Sequence, residues 1–389
     1  METQASTTQV SLARGIDAAK LERELNAMWA EMSAPADGGA GGASQSAGVV
    51  RACVLNLVVY AEGAECRAQV DDLLAAVVER HPCRAIVLAA EPGAGGARLE
   101  AFVSTRCQLS ARGRKRICGE QITIEAAGDA VRTAATAVAP LLVPDVPVFL
   151  WWRDIPHYDD VLFERLAAMA DRVVIDSASF DEPHKDLLQL ARLLEAGRLR
   201  LSDLNWGRLT SWRSLVAGFW DVADYRDPLS QIEKVVIGYD PPDISRGQIA
   251  PKALLALGWL ASCLGWEAAG GASALSTGRA RFALRGGGRE IEAVLAASDD
   301  VAGRDGWLTS LTLSTAAGDE FSVELLYGEG RLRTRARLGG GGHEVVRVLG
   351  YEARGEGERL AGELDILGRD DVYERAVGAA AGMLAAAGA

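Results

Sequence analysis

The sequence predicts an α/β protein: an N-terminal layered domain with a mostly parallel sheet, followed by an α+β domain with an antiparallel meander. Three observations carry this. From Val49 to about Asp176, short apolar and β-branched runs alternate with stretches of helical spacing, the grammar of βαβ units. Beyond about Tyr225, short strands separated by glycine-bearing turns follow one another directly, which is the pattern of a meander. A chain of 389 residues is also longer than one typical core and suits two. The expected division is residues 1–48 as a helix plus linker, 49–224 as the α/β domain, and 225–389 as the α+β domain.

Ile16, Leu21, Leu25, Met28, Trp29 and Met32 recur close to the helical period, so 16–32 reads as an amphipathic helix that Asp17 caps. Ser33 to Gly48 is rich in Ala, Gly and Ser and reads as a flexible linker. A helix tethered in this way docks either on its own domain or on a partner. Val49–Tyr60, the helical stretch Cys66–Arg80 and Cys83–Ala90 form strand, helix, strand. Leu99–Leu109 and Arg116–Glu125 read as an antiparallel pair joined through Arg112, Arg114, Lys115 and Arg116. A helix is expected over Asp129–Leu142, then the strand Val148–Trp152, a helix over Leu162–Ala170 and the strand Arg172–Asp176. Helices over Lys185–Glu195 and Trp206–Val222 follow, with Lys234–Gly238 expected to close the sheet. In the second part, the helix Pro251–Leu264 precedes six strands between Arg281 and Val348. Two terminal helices, Glu356–Ile366 and Asp371–Ala387, are expected to cover one face of the meander.

Composition narrows the function. The chain is 49% hydrophobic and 24% charged, with a net charge of −12 and a pI near 5.0. An acidic chain is a poor ligand for nucleic acid or an anionic membrane surface. METQASTTQVSLARG lacks an apolar signal core, and no run of about 18 apolar residues exists to span a membrane, so a cytoplasmic location is expected. Cys53, Cys66, Cys83, Cys107, Cys118 and Cys263 form no CxxC pair and read as reduced thiols. The four histidines, His81, His157, His184 and His343, are isolated from one another, and none sits at metal-ligand spacing with a cysteine or carboxylate, so no metal site is expected; His81 lies two residues from Cys83, but side chains so placed on an extended segment make no Cys–His dyad.

No G-x-G-x-x-G, G-x-S-x-G or H-E-x-x-H occurs, and the glycines of EPGAGGARLE read as a hairpin turn. No catalytic residues and no cofactor are expected. The strongest local signal is tryptophan: five of nine fall between Trp151 and Trp220. Trp151, Trp152 and Arg153 lie at the C-terminal end of a predicted sheet strand, and Asp176 at the end of the next. Binding sites of open α/β sheets are built on that edge. In LNWGRLTSWRSLVAGFW, the residues Leu209, Trp212, Val216 and Phe219 share a core-facing stripe, while Asn205, Trp206, Arg208 and Arg213 lie beside it. Trp next to Arg is a composition of interfaces and of sugar or phosphate pockets. Packing, with arginines neutralising carboxylates, accounts for the same residues.

The strings RACVLNLVVYA, ERHPCRAIVL, CGEQITIEA, LLVPDVPVFLWWRDIP, ADRVVIDSASF and SDLNWGRLTSWRSLVAGFWD, in this order, resemble the OpcA family of glucose-6-phosphate dehydrogenase assembly and activator proteins. The resemblance runs from about Val49 to Val222 and continues more weakly through ALLALGWLASCLGW. It implies a non-catalytic protein that binds glucose-6-phosphate dehydrogenase and promotes its assembly and allosteric activation in the oxidative pentose phosphate pathway, with the substrate and NADP sites on the partner. An enzyme of sugar-phosphate metabolism, of isomerase or lactonase type, stays open as the second class, because fold alone separates neither.

Overall fold

The computed structural model describes residues 16–33, 48–109, 115–156, 160–197, 199–245, 247–269, 274–298, 303–339, 344–351 and 354–388. The linker 34–47, Arg112 and Arg114 of the basic stretch, His157 and His343 lie outside the described residues. Two compact units emerge, and neither is continuous in sequence. The first takes Met1–Ile175, Leu199–Ser202 and Gly355–Leu367; the second takes Asp176–Arg198, Asp203–Arg354 and Gly368–Ala389.

In chain order the helices are α1 (Ala18–Ser33), α2 (Ala64–Arg80), α3 (Ala135–Val138), α4 (Val161–Ala167), α5 (Pro183–Glu195), α6 (Leu204–Gly207), α7 (Thr210–Ala217), α8 (Arg226–Leu229), α9 (Pro251–Leu264), α10 (Glu356–Glu363) and α11 (Asp371–Ala386). The strands of the first sheet are β1 (Gly48–Arg51), β2 (Leu55–Glu62), β3 (Cys83–Glu91), β4 (Arg98–Leu109), β5 (Lys115–Ala127), β6 (Val148–Trp152), β7 (Arg172–Ile175) and β8 (Leu201–Asp203). Those of the second are β9 (Ile232–Tyr239), β10 (Glu267–Ala268), β11 (Ala274–Ser276), β12 (Arg279–Gly286), β13 (Arg289–Ala297), β14 (Leu308–Thr315), β15 (Glu320–Leu326), β16 (Arg331–Arg337) and β17 (Val345–Gly350).

The first sheet runs β1-β5-β3-β2-β6-β7-β8. The β2–β3, β3–β5, β2–β6 and β6–β7 pairs are parallel, and β4 returns antiparallel on β5. β2 and β3 are buried over nearly their whole length, as a parallel sheet covered on both faces requires. The stretch β5-β3-β2-β6-β7-β8 has the doubly wound order 3-2-1-4-5-6 when counted from β2, with the direction of winding reversing between β2 and β6.

Helix α1 docks on its own unit. Leu21, Leu25, Met28 and Trp29 are buried, and the Trp29 indole donates to Glu120 Oε1 at 2.8 Å. Arg51 Nε and Arg84 also reach Glu120, each at 2.7 Å, and Arg84 extends to Glu22 on α1. The buried pair of Arg84 and Glu120 is therefore shared out among several partners, the condition under which a buried charge is tolerated.

The second sheet runs β10-β12-β13-β9-β14-β15-β16-β17, with β11 beside β12. Its pairs are antiparallel except β9–β13. Strands β14 to β16 alternate buried and part-exposed residues, the period-2 signature of a sheet with one covered face. Helix α9 is buried from Pro251 to Gly258 without interruption and packs against α5 and α11 as well as β9 and β13. That is why its sequence is apolar on every side.

Five expectations change. Lys234–Gly238 lies in β9, inside the second sheet between β13 and β14, and does not close the first. The region expected as one terminal helical cover divides: α10 packs on α2 in the first unit, whereas α11 packs on α9 in the second. Asp129–Leu142 is a 3₁₀ turn, the short α3 and another 3₁₀ turn, because Pro140 has no N–H to carry a helix onward. Trp206–Val222 likewise breaks into α6, α7 and a 3₁₀ turn. Finally, Cys118 is disulfide-bonded, against the reading of all six cysteines as reduced thiols. It lies on β5 within the antiparallel β4–β5 ladder, a setting that linear spacing of the cysteines conceals.

Candidate functional site

The sequence-selected residues fall in both units. In the first, β6 ends in Trp151 and Trp152, both buried. The Trp152 ring stacks on Tyr60 at 3.9 Å between centroids and meets Phe163 edge-on at 5.0 Å. The Arg153 guanidinium lies 5.0 Å from the Trp151 ring and reaches Gln69 Oε1 at 3.2 Å and Glu356 Oε1 at 3.4 Å. These indoles therefore have packing partners, and Arg153 is the polar element of the group.

In the second unit, Asp176, Asn205, Trp206, Arg208 and Arg213 form one connected cluster. Arg208 donates two bonds to Asp176, Nη1 to Oδ1 at 2.6 Å and Nη2 to Oδ2 at 2.7 Å, the planar fork that lysine cannot reproduce. Asp176 Oδ1 also accepts from the Ala178 amide at 3.1 Å, which closes the turn after β7. Behind this pair sits Asp203, fully buried, accepting from the amides of Ser177 at 3.0 Å and Asn205 at 2.9 Å and from the Tyr373 hydroxyl at 3.4 Å. Burial first, and the Asp176 charge second, push its carboxyl up to about 6.

Asn205 is buried; its amide donates to Ser177 Oγ at 3.0 Å, while Oδ1 has no hydrogen-bond partner. The Trp206 indole is buried as well and donates to Asp370 Oδ2 at 3.0 Å. The Arg213 guanidinium lies 3.7 Å from the centre of its ring, a cation–π stack. Asp370 in turn caps α11 by accepting from the Tyr373 amide at 2.9 Å. The arrangement is a rigid polar cluster whose accessible groups are Asp176, Arg208 and Arg213. Asp203, Asp370 and Tyr373 belong to the cluster without the Trp–Arg composition that marks its other members. Asp203 is legible in the sequence all the same, since it occupies the capping position ahead of the LNWGRL helix.

The first unit holds a second feature that no sequence motif marks. At the carboxyl ends of the first unit's strands is a cavity of about 390 Å³ lined by, among others, Tyr60, Glu62, Asp129, Arg132 and Asp160. It adjoins the winding reversal, where doubly wound sheets place ligands. Tyr60 donates to Glu62 Oε2 at 3.1 Å. Burial, and then repulsion from Asp154, raise the Glu62 carboxyl, against the lowering effect of that bond. Strand β2 runs into Glu62–Gly63 where a dinucleotide fold carries its glycine-rich turn. Three carboxylates against one arginine make a poor seat for a pyrophosphate.

Cys83, His81 and His184 have structural surroundings. Cys83 is buried and its thiol is pushed up to about 12, mainly by desolvation, which removes it as a nucleophile. His81 Nε2 sits 2.8 Å from the Ala361 carbonyl, and burial lowers His184. Among the described residues no group of His, Cys, Asp or Glu has the geometry of a metal site, and no helix is long and apolar enough to cross a membrane.

Residues 75–192 match the family described as glucose-6-phosphate dehydrogenase subunit N-terminal domain, and residues 199–377 match its C-terminal counterpart. The chain belongs to the OpcA family. It is 40% identical over 189 residues to the putative OxPP cycle protein OpcA of Nostoc punctiforme, covering 48% of this chain and 39% of that one. To the protein of the same description from Synechocystis sp. it is 30% identical over 311 residues, covering 77% of this chain and 63% of that one. The chain thus spans less than two thirds of the length of these OpcA relatives. Among solved structures, KijD10, a 3-ketoreductase from Actinomadura kijaniata, overlays with a TM-score of 0.48 at 11% identity, over 85% of this chain and 96% of that one, a likeness too loose to transfer chemistry.

Proposed function

We propose that this chain is a non-catalytic partner of glucose-6-phosphate dehydrogenase that promotes its assembly and allosteric activation in the oxidative pentose phosphate pathway. The observation that carries the reading is the pair of family matches, to both halves of a dehydrogenase-subunit family in the same order along the chain. The site chemistry is consistent with it. The described residues assemble no activated nucleophile beside a base, and the crevice that would hold a dinucleotide is lined by acid. A partner activates an enzyme only by binding its active state more tightly than its inactive one. In this reading Asp176, Arg208 and Arg213, together with Arg153 on the first unit, make contacts that differ between those states. Trp151, Trp152, Asn205 and Trp206 hold these groups in place from beneath.

The test is dehydrogenase activity, with enzyme from the same organism, over a range of glucose-6-phosphate with and without this protein, alongside size exclusion of the mixture. The expected result is co-elution with a lower apparent KM or a higher kcat. Arg208→Ala, confirmed folded by its thermal melt, is expected to co-elute but to lose most of the activation. Turnover of a sugar phosphate by the purified chain alone would overturn the non-catalytic reading and favour an isomerase or lactonase.

A further inference from the structure

The outer edge of the second sheet is unusual. Among the described residues, strand β17 pairs with β16 on one side and ends the sheet on the other, so a row of its N–H and C=O groups faces outward. All six of its residues are exposed. Val346 and Val348 keep 47% and 49% of their surface, and Val345 and Leu349 are comparable. Those four account for nearly half of the large apolar side chains exposed among the described residues. Soluble proteins blunt such edges with charge, proline or a bulge; VVRVLG has one arginine and high strand propensity. An apolar edge of this kind marks a surface that is covered in the working assembly.

Charge says what covers it. The two outermost strands carry Arg331, Arg333, Arg335, Arg337 and Arg347 and no carboxylate, on a chain whose net charge is −12. The arginines of β16 meet Glu329, Glu324, Glu344 and Glu320 from neighbouring segments. Those pairs are solvent-exposed, contribute little, and are exchanged readily for other carboxylates. A second copy of the chain is a poor occupant. Two β17 strands in antiparallel two-fold pairing bring Arg347 opposite or diagonal to its own mate, a like-charge contact.

We propose that β17 is a docking edge that accepts an extended, carboxylate-bearing segment of a partner protein as an additional strand. Backbone hydrogen bonds supply the pairing, the valines supply apolar contact, and the arginines select an acidic sequence. This rests on the partner-binding reading above, and names where the partner is held.

The test measures the complex with the same-organism dehydrogenase by sedimentation for the wild type, for Val346→Asp/Val348→Asp, and for Arg335→Glu/Arg337→Glu. Val346, Val348 and Arg337 are exposed and Arg335 is half-exposed; because the reversal sets new glutamates against Glu344 and Glu320, a melting curve confirms each variant folded before its binding is compared. Hydrogen exchange of 345–350 is followed in the wild-type mixture. The expected result is a wild-type complex, slowed exchange across β17, and at least tenfold weaker binding for both double variants, with a shallower salt dependence for the arginine variant. A wild-type complex with unchanged exchange and equal affinity of the variants overturns the docking edge and leaves the partner reading standing. No wild-type complex overturns both. Protection of β17 in the isolated chain, in step with dimer formation, overturns the acidic partner in favour of a second copy.

Discussion

Gly258 sits in the interior of α9, where glycine costs about 1 kcal/mol relative to alanine on helix propensity alone. Its presence there is explained by α11. A Cβ built at Gly258 would lie 2.1 Å from the Ala376 carbonyl oxygen and 3.1 Å from Ala380 Cβ. The nearer atom is backbone, so no rotamer change relieves the clash, and the two helices would have to separate by roughly 1 Å to regain normal contact. Overpacking of this type costs about 1–3 kcal/mol, here toward the upper end. Set against the propensity gain of about 1 kcal/mol, Gly258→Ala is expected to destabilise by about 2 kcal/mol, a fall of roughly 4–8 °C in Tm. Gly378, on the exposed side of α11 with nothing within 4 Å of its would-be Cβ, supplies the control. Gly378→Ala changes the same propensity without the clash and is expected to stabilise by up to about 1 kcal/mol. Urea and thermal unfolding followed by circular dichroism give both values. Equal stabilisation by the two substitutions would refute the close approach of α9 to α11.

Asp203 binds its proton more tightly folded than unfolded, because its carboxyl is raised to about 6. Its contribution to stability is therefore fully present below the unfolded value near 4 and is lost as pH rises through about 6. Measured against Asp203→Asn, the wild type should gain on the order of 2 kcal/mol between pH 7 and pH 4 in urea titrations; parallel pH profiles would show that the carboxylate is not desolvated as described. Among the thiols, Cys263 is exposed and Cys83 buried. Iodoacetamide at pH 8 should label Cys263 in the native protein and Cys83 only after denaturation, as read by peptide mass spectrometry; native labelling of Cys83 would contradict its burial.

Strand and helix positions were largely legible in the sequence, because alternation and helical spacing report which face of a segment is apolar. The parallel core of the first sheet, the β4–β5 hairpin, the long helix α9 and all six meander strands follow from that signal. The helix breaks near Pro140 and between α6 and α7 were not resolved by it, since apolar spacing persists across short 3₁₀ segments. The tryptophan-rich candidates illustrate the same limit at the site. Composition picked out Trp206, Arg208 and Arg213, but the fork of Arg208 on Asp176 and the seat of Trp206 on Asp370 join residues up to 164 positions apart.

Most strands and helices, the division into a parallel and an antiparallel sheet, and the family, through strings whose order is distinctive, were legible in the linear order of residues. Long-range packing placed β9 in the second sheet, set α10 and α11 on different units, bonded Cys118, and buried Trp151, Trp152 and Trp206 where composition alone left them open to display. The reason is that a residue pattern encodes how much apolar surface a segment must bury. Which partner buries it is settled by packing among elements far apart in the chain, and linear spacing holds no record of that choice.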